Sequence, residues 1–210
     1  MENLGSEAIL VLGMHRSGTS AVAGALSLLG ATPPARMLPA ASDNPSGFWE
    51  SASVLGVNDW ILHKGNGAWY ECLGFDPNAF DARTRARALT YIILCVMAEF
   101  GGAKLKLIKD PRLCLLLGLW LPALSAVGTS PVVVLVLRPP DEVAGSLDAR
   151  EHMPLGISVA LWLRYMLDAE FATRACRRHV VAYADLLRDW RRALTLTGHH
   201  TAITWPVMLV

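Results

Sequence analysis

Apolar runs alternate with amphipathic stretches along the chain, and this alternation predicts strands separated by helices. Ile9–Leu12 is a charge-free run that turns through Gly13 and Gly18 and enters Ala21–Leu29, which reads as strand, tight loop and helix. Between Ala82 and Phe100, Ala86, Leu89, Ile92, Ile93, Val96, Met97 and Phe100 recur at helical spacing behind Asp81, a residue suited to an N-cap. Leu105–Lys109 predicts a strand closed by Asp110-Pro111, and a helix over Arg112–Leu124 follows. Val132–Leu137 predicts the next strand. After Arg138, the prolines 139 and 140 open a helix to Arg150, with Asp141 and Glu142 at its positive end. Leu161, Trp162, Tyr165, Met166 and Ala169 form a stripe on a helix over Gly156–Arg177. His179–Tyr183 predicts a short strand, and Leu186, Leu187, Trp190 and Leu194 share one face of a last helix.

Two stretches lack this periodicity. The segment 31–49, with Pro39, Asp43, Asn44, Pro45, Ser46 and Gly47, predicts a long loop of the kind that serves as a lid or binding loop. It ends in Gly47-Phe48-Trp49-Glu50, which opens a predicted helix to Lys64. Thr195–Val210 is also poor in periodicity. The whole pattern predicts an α/β fold in three layers, a parallel sheet flanked by helices on both faces, as one domain over residues 1–210. In such sheets ligands gather outside the carboxyl ends of the strands. Gly13, Lys109, Arg138 and Tyr183 all stand at such ends, so the fold would bring a loop of anion donors, a lysine, an arginine and a phenol together.

Composition narrows the classes. Hydrophobic residues make up 53% and charged residues 18%, which supports a full core and argues against disorder. A formal charge of +1 argues against a broad nucleic-acid footprint, so any anion site must be local. The six histidines and four cysteines show no metal spacing, and Cys72, Cys95, Cys114 and Cys176 read as reduced thiols of a cytoplasmic protein. No signal peptide is expected, because Glu2 and Glu7 precede the first apolar run and Arg16 interrupts it. No charged residue occurs between Arg112 and Arg138, but Pro122, Gly128 and Pro131 divide that stretch into a buried helix and a buried strand rather than a membrane span. Arg83, Arg85 and Arg87 near a helix start read as a solvated face or as contacts for an acidic acceptor.

The loop itself carries the chemistry. Gly13 and Gly18 have the spacing of a Walker A loop, but Thr19-Ser20 replaces its Lys-Ser/Thr, so the lysine that reaches the β- and γ-phosphates of ATP is missing. Arg16 is the loop's only cation, with hydroxyls on Ser17, Thr19 and Ser20 as donors. Four ordered segments then resemble the sulfotransferases that use 3′-phosphoadenosine 5′-phosphosulfate (PAPS). They are His15-Arg16-Ser17-Gly18-Thr19-Ser20, Lys109-Asp110-Pro111, Arg138 with Ser146, and Tyr183-Ala184-Asp185-Leu186-Leu187. His15 stands where that family has proline. The first two segments are closer to its tyrosylprotein and bacterial carbohydrate-type branches.

The resemblance implies a P-loop-like fold and sulfuryl transfer from PAPS to a hydroxyl acceptor such as a carbohydrate, lipid or other small molecule. Residues 13–20 would hold the 5′-phosphosulfate, Arg138 and Ser146 the 3′-phosphate, and Tyr183 would touch the same phosphate. Arg16 and Lys109 would face the sulfuryl oxygens and the leaving phosphate. Glu50 is the candidate base, or else a carboxylate that stabilises a helix start; His15 and Asp110 are lesser candidates. No metal is expected. The family's chain normally continues past its Tyr-Glu-Asp-Leu-like helix, so a chain ending at Val210 is expected to be a truncated member, foldable but weakly active. The alternatives are a nucleotide kinase, disfavoured by the missing lysine and by the absence of a Walker B aspartate, and a degenerate nucleotide-binding protein without activity.

Overall fold

The computed structural model describes residues 5–41, 44 and 47–207. Asp43, Pro45 and Ser46 of the long loop, and Glu2 and Val210, lie outside the described residues. Four parallel strands, β1 (Ser6–Leu12), β2 (Leu105–Lys109), β3 (Thr129–Leu137) and β4 (Arg177–Ala182), pair in the order β2-β1-β3-β4. The central strands β1 and β3 are buried over most of their length on both faces, which is why Ile9–Leu12 and Val132–Leu137 read as unbroken apolar runs. Alternate side chains divide between two cores. Ala8, Leu10, Leu12, Ile108, Val133 and Leu135 face one side, and Ile9, Val11, Leu107, Val132, Val134 and Val136 face the other.

The first core is closed by α2 (Ala52–Lys64), α3 (Ala82–Phe100), α4 (Leu113–Ala126), α5 (Pro140–Glu151) and α6 (Leu155–Ala172). The second is closed by α1 (Thr19–Leu28), α7 (Tyr183–Arg188) and α8 (Trp190–Thr201). The chain therefore leaves β1 toward one face and leaves β3, its neighbour, toward the other. That divergence opens a crevice at the carboxyl ends of β1 and β3, where ligands of such sheets bind. The segment after α8 returns to α1: Trp205 Nε1 donates to the Leu194 carbonyl at 3.2 Å and the Val207 N–H to the Leu29 carbonyl at 3.0 Å.

β2 and α3 match the sequence expectation, with Asp81 capping α3 through the Thr84 N–H at 2.6 Å. Other boundaries differ for local reasons. The helix expected from Gly47 begins at Ala52, because the Ser51 hydroxyl accepts the N–H groups of Ser53 and Val54 at 3.1 Å each. Gly47–Glu50 is not helical. α6 ends at Ala172 rather than Arg177, where the Thr173 hydroxyl folds back onto the Ala169 carbonyl at 2.7 Å and Arg177 already belongs to β4. The expected last helix is two helices. Asp189 breaks it by accepting the Arg192 N–H at 3.0 Å as the cap of α8. α8 runs on to Thr201 on a buried face of Ala193, Leu194, Thr197, Gly198 and Thr201, a stripe too small and hydroxylic to register as hydrophobic periodicity. Among the described residues, no helix is long and apolar enough to cross a membrane.

Candidate functional site

The loop after β1 is built by backbone constraints. Gly13 adopts φ 150°, and a Cβ there would lie 2.9 Å from the Val136 carbonyl on β3. Gly18 adopts φ 86°, and a Cβ there would enter the Tyr183 ring at 2.2 Å, so only glycine fits. The Ser17 N–H turns back to the Met14 carbonyl at 3.1 Å, and Arg16 is held at φ 67°. α1 then starts at Thr19 with no side-chain cap and no acidic residue in its first turn. Its leading N–H groups and positive dipole end are thus available to an anion. Below the loop, the Gly13 N–H donates to Cys114 Sγ at 3.3 Å, where burial pushes the thiol up to about 12. Ser17 Oγ and His15 Nε2 are buried and have no hydrogen-bond partner among the described residues.

Lys109 ends β2 and is almost sealed, as is Glu50, at 4% and 7% exposed. Lys109 Nζ donates to Glu50 Oε1 at 2.5 Å, to the Phe48 carbonyl at 3.0 Å and to Ser20 Oγ at 3.1 Å. Ser20 Oγ in turn donates to the Phe48 carbonyl at 3.2 Å. The end of the long loop is therefore tied to both the phosphate-type loop and β2. Burial raises the Glu50 carboxyl above its ordinary value, against the opposing pull of Lys109. Glu50 precedes Ser51, so it is not the carboxylate of a helix start; Ser51 is the cap.

Arg138, Ser146 and Tyr183 form a third group, organised around Arg16. Arg138 Nη1 donates to the Arg16 carbonyl at 2.9 Å, and Arg16 Nε donates to Ser146 Oγ at 3.0 Å. The Arg138 guanidinium sits 5.1 Å over the Tyr183 ring, and its Nε pairs with Glu142 Oε2 at 2.9 Å. Trp162 Nε1 fixes the Arg138 carbonyl at 3.0 Å. Tyr183 is the first residue of α7 rather than the last of a strand. Sequence reasoning placed Glu142 at the positive end of α5 but missed its pairing with Arg138, although the spacing of four marks a helical ion pair.

Asp110 is fully buried and accepts the Arg112 N–H at 2.8 Å and its Nη1 at 3.1 Å, while Arg112 Nε meets Asp59 Oδ1 at 2.6 Å. Asp110 does not line the cavity, which corrects its candidacy as a base. His15 packs against Trp69 with ring centroids 4.4 Å apart and planes tilted by 37°, and meets the Tyr165 ring edge at 5.9 Å. Burial, reinforced by Arg112, Lys109, Arg150 and Arg16, holds its imidazole well below the ordinary value, so it is neutral and a weak base at neutral pH.

These groups surround a cavity of about 990 Å³. His15, Arg16, Gly18, Thr19, Ser20 and Glu50 line it, and so do Lys109, Arg138 and Tyr183. Gly13, Ser17 and Ser146 do not line it and act from behind the wall. Arg83, Arg85 and Arg87 do not line this cavity; Arg85 donates to the Gly118 carbonyl at 3.2 Å and Arg87 to the Tyr91 hydroxyl at 3.1 Å. Among the described residues no cluster of three or more His, Cys, Asp or Glu side chains could hold a metal.

The fold is that of a P-loop-like α/β domain, the sulfotransferase fold. The sulfotransferase domain of the Synechococcus PCC 7002 olefin synthase superposes on this chain with a TM-score of 0.56 at 14% identity, covering 98% of this chain and 76% of that one. At that identity the likeness establishes the fold. No protein-family model matches the chain, and no curated protein matches it in sequence.

Proposed function

We propose that the chain is a PAPS-dependent sulfotransferase that acts on a hydroxyl acceptor, of the tyrosylprotein or bacterial carbohydrate-type branch. The observation that carries the reading is the convergence of three cations from three strand ends, Arg16, Lys109 and Arg138, on one uncapped helix N-terminus, with a buried carboxylate 2.5 Å from the lysine. The donor set fits the two anionic ends of PAPS: the first turn of α1 and Arg16, which Ser146 Oγ orients from behind, suit a phosphosulfate, and Arg138 suits a separate phosphate. PAPS would supply the sulfuryl group, with adenosine 3′,5′-bisphosphate as the leaving group.

The chain's own residues then have separate tasks. The loop N–H groups and Arg16 orient the sulfuryl oxygens, and positioning with electrostatic stabilisation is the main catalytic resource in transfers of this kind. Lys109 would face the leaving phosphate from the end of β2, and it holds Glu50 through Oε1. Glu50 Oε2 takes the proton from the acceptor hydroxyl as the acceptor oxygen bonds to sulfur and the sulfur–phosphate oxygen bond breaks. A carboxyl raised by burial suits this task, because a base works best with a pKa near the working pH. Arg138 supports the Arg16 carbonyl and so couples the phosphate end of the site to the reacting end.

Transfer of radiolabelled sulfate from PAPS into a panel of sugars, phenols and lipids with free hydroxyls tests the reading. Labelled product that needs Arg16 supports it. No transfer to any acceptor, together with no binding of adenosine 3′,5′-bisphosphate, rejects it.

A further inference from the structure

Five non-glycine residues among those described adopt positive φ: Arg16, Trp49, Asn66, His152 and Ala202. His152 and Ala202 are the C-caps of α5 and α8, and Asn66 follows the C-cap of α2, where a left-handed residue is ordinary. Arg16 lies in the phosphate-type loop. Trp49, at φ 57°, ends no helix, and a bulky side chain rarely takes this conformation. Such a backbone persists only where its surroundings over-determine it. On one side of Trp49 the Phe48 carbonyl accepts from Lys109 Nζ at 3.0 Å and from Ser20 Oγ at 3.2 Å. On the other side the Glu50 carbonyl accepts the Leu38 N–H at 2.8 Å, and Glu50 Oε1 accepts from Lys109 Nζ at 2.5 Å. The Trp49 indole lies over Gly24, in the middle of α1. A Cβ on Gly24 would stand 3.1 Å from the indole Nε1, 3.2 Å from Cε2 and 3.3 Å from Cζ2. Glycine weakens a helix interior, and here it leaves room for the ring.

We propose that Trp49 is a positioning residue for Glu50: its indole, seated on Gly24, holds the left-handed turn that brings the Phe48 carbonyl and the Glu50 carboxylate onto the one ammonium of Lys109. This rests on the sulfotransferase reading above, in which Glu50 is the base. The two oxygens come from the residues on either side of Trp49, so the Trp49 backbone angles decide whether both reach Nζ. A base already aimed and held through one oxygen needs no ordering when the acceptor arrives, which is what positioning contributes to catalysis. The ring lines the same cavity as Glu50 and Lys109, so the turn is held at the site itself. The burial that raises the Glu50 carboxyl, and the Lys109, Asp110 and Arg112 charges that act on it, depend on the same turn.

The test compares two substitutions that treat the backbone differently. Trp49→Gly removes the ring but takes positive φ freely, whereas Trp49→Ala removes the ring and keeps the strain. If the ring only packs, alanine should serve as well as glycine or better, because glycine loses more freedom on folding. If the ring holds the turn, alanine should lose more. Turnover on any acceptor that the wild type sulfates should fall roughly tenfold to a hundredfold in Trp49→Ala and clearly less in Trp49→Gly. The loss should be largely absent when the same changes are made in the Glu50→Gln chain. Thermal unfolding across pH reads the turn without activity. The Tm gap between wild type and Glu50→Gln should change above the ordinary carboxylate range, where the raised carboxyl ionises. In Trp49→Ala that gap should stay flat, because a carboxyl released to water titrates alike folded and unfolded, and Trp49→Gly should keep most of the wild-type course. If Trp49→Ala does not fold, Gly24→Val, which displaces the ring from α1, takes its place in both readouts. Alanine equal to or better than glycine, an equal loss in the Glu50→Gln chain, or a wild-type pH course in Trp49→Ala or Gly24→Val overturns the proposal. Absence of transfer to every acceptor counts against the sulfotransferase reading alone, and the pH course of unfolding then decides the role of Trp49.

Discussion

Glu50→Gln separates function from structure at the buried pair. Glutamine keeps the shape and an oxygen for Lys109, and Lys109 retains the Phe48 carbonyl at 3.0 Å and Ser20 Oγ at 3.1 Å. What is lost is the proton acceptor that the proposed reaction needs. Turnover should fall by roughly two to four orders of magnitude, the usual size of general-base catalysis. Stability should behave in the opposite way. Burial outweighs the Lys109 attraction and raises the carboxyl, so ionised Glu50 costs the fold more than it returns. A raised carboxyl contributes its stability in full only below its unfolded value and loses it as pH rises through its folded value. At neutral pH the glutamine variant should therefore melt at or above the wild-type temperature, and the wild type should gain on it as pH is lowered. The wild-type pH–rate profile should show an acid limb above the ordinary carboxylate range, and the residual activity of the variant should lack that limb. Initial rates of sulfuryl transfer across pH, with thermal unfolding on the same samples, measure both. A variant that melts far below wild type while turning over near normally would show that Glu50 is a structural partner of Lys109 and not the base.

Other perturbations follow from the same geometry. Gly18→Ala combines a left-handed backbone with a Cβ inside the Tyr183 ring and should cost roughly 2–5 kcal/mol, seen as a lower Tm; Tyr183→Ala in the same chain should recover part of it. Arg16→Ala should weaken adenosine 3′,5′-bisphosphate in isothermal titration and reduce transfer, and unchanged values for both would remove Arg16 from the site. Arg138→Ala should lower affinity for adenosine 3′,5′-bisphosphate by roughly tenfold to a hundredfold, with a smaller loss for adenosine 5′-phosphate because Arg138 also braces the Arg16 carbonyl. Glu99→Gln should destabilise the long loop: burial pushes this carboxyl up, but hydrogen bonds from Ser53 at 2.5 Å and from Arg36 bring it below its ordinary value. That stability is present above the unfolded carboxyl value and is lost as pH falls through the folded one, so the Tm gap between wild type and Glu99→Gln should shrink in acid.

The parts of this molecule that sequence could supply are those fixed by local chemistry. Unbroken apolar runs marked β1 and β3 because both sheet faces are covered there, and Asp81 marked the start of α3 because capping is a three-residue interaction. The strand-end positions of Gly13, Lys109 and Arg138 followed from that register, and the structure brings Lys109 and Arg138 to one crevice with Gly13 behind its wall. What sequence could not supply depends on distant partners. Gly47–Glu50 resembles a helix start, yet Lys109, 61 residues from Phe48, captures the Phe48 carbonyl and holds the segment open. Asp110 stood in sequence as a lesser candidate base beside Lys109, and only the fold shows that Arg112 encloses it. Trp69, Arg112 and Arg150 carry no motif, and only the packing of α2, α4, α5 and α6 around one cavity brings them to His15.

The central claim is that the crevice between β1 and β3 recognises a nucleotide with a 3′-phosphate and does so without the Walker lysine. Parallel titrations of the wild-type chain with adenosine 3′,5′-bisphosphate, adenosine 5′-phosphate and ATP with magnesium test it most directly. The first should bind tighter than the second by roughly tenfold to a hundredfold, the worth of a charge-assisted contact to the 3′-phosphate, and ATP should bind no better than adenosine 5′-phosphate. Equal affinity for the first two nucleotides, or a preference for ATP with magnesium, would contradict the claim and make this a phosphoryl-transfer site instead.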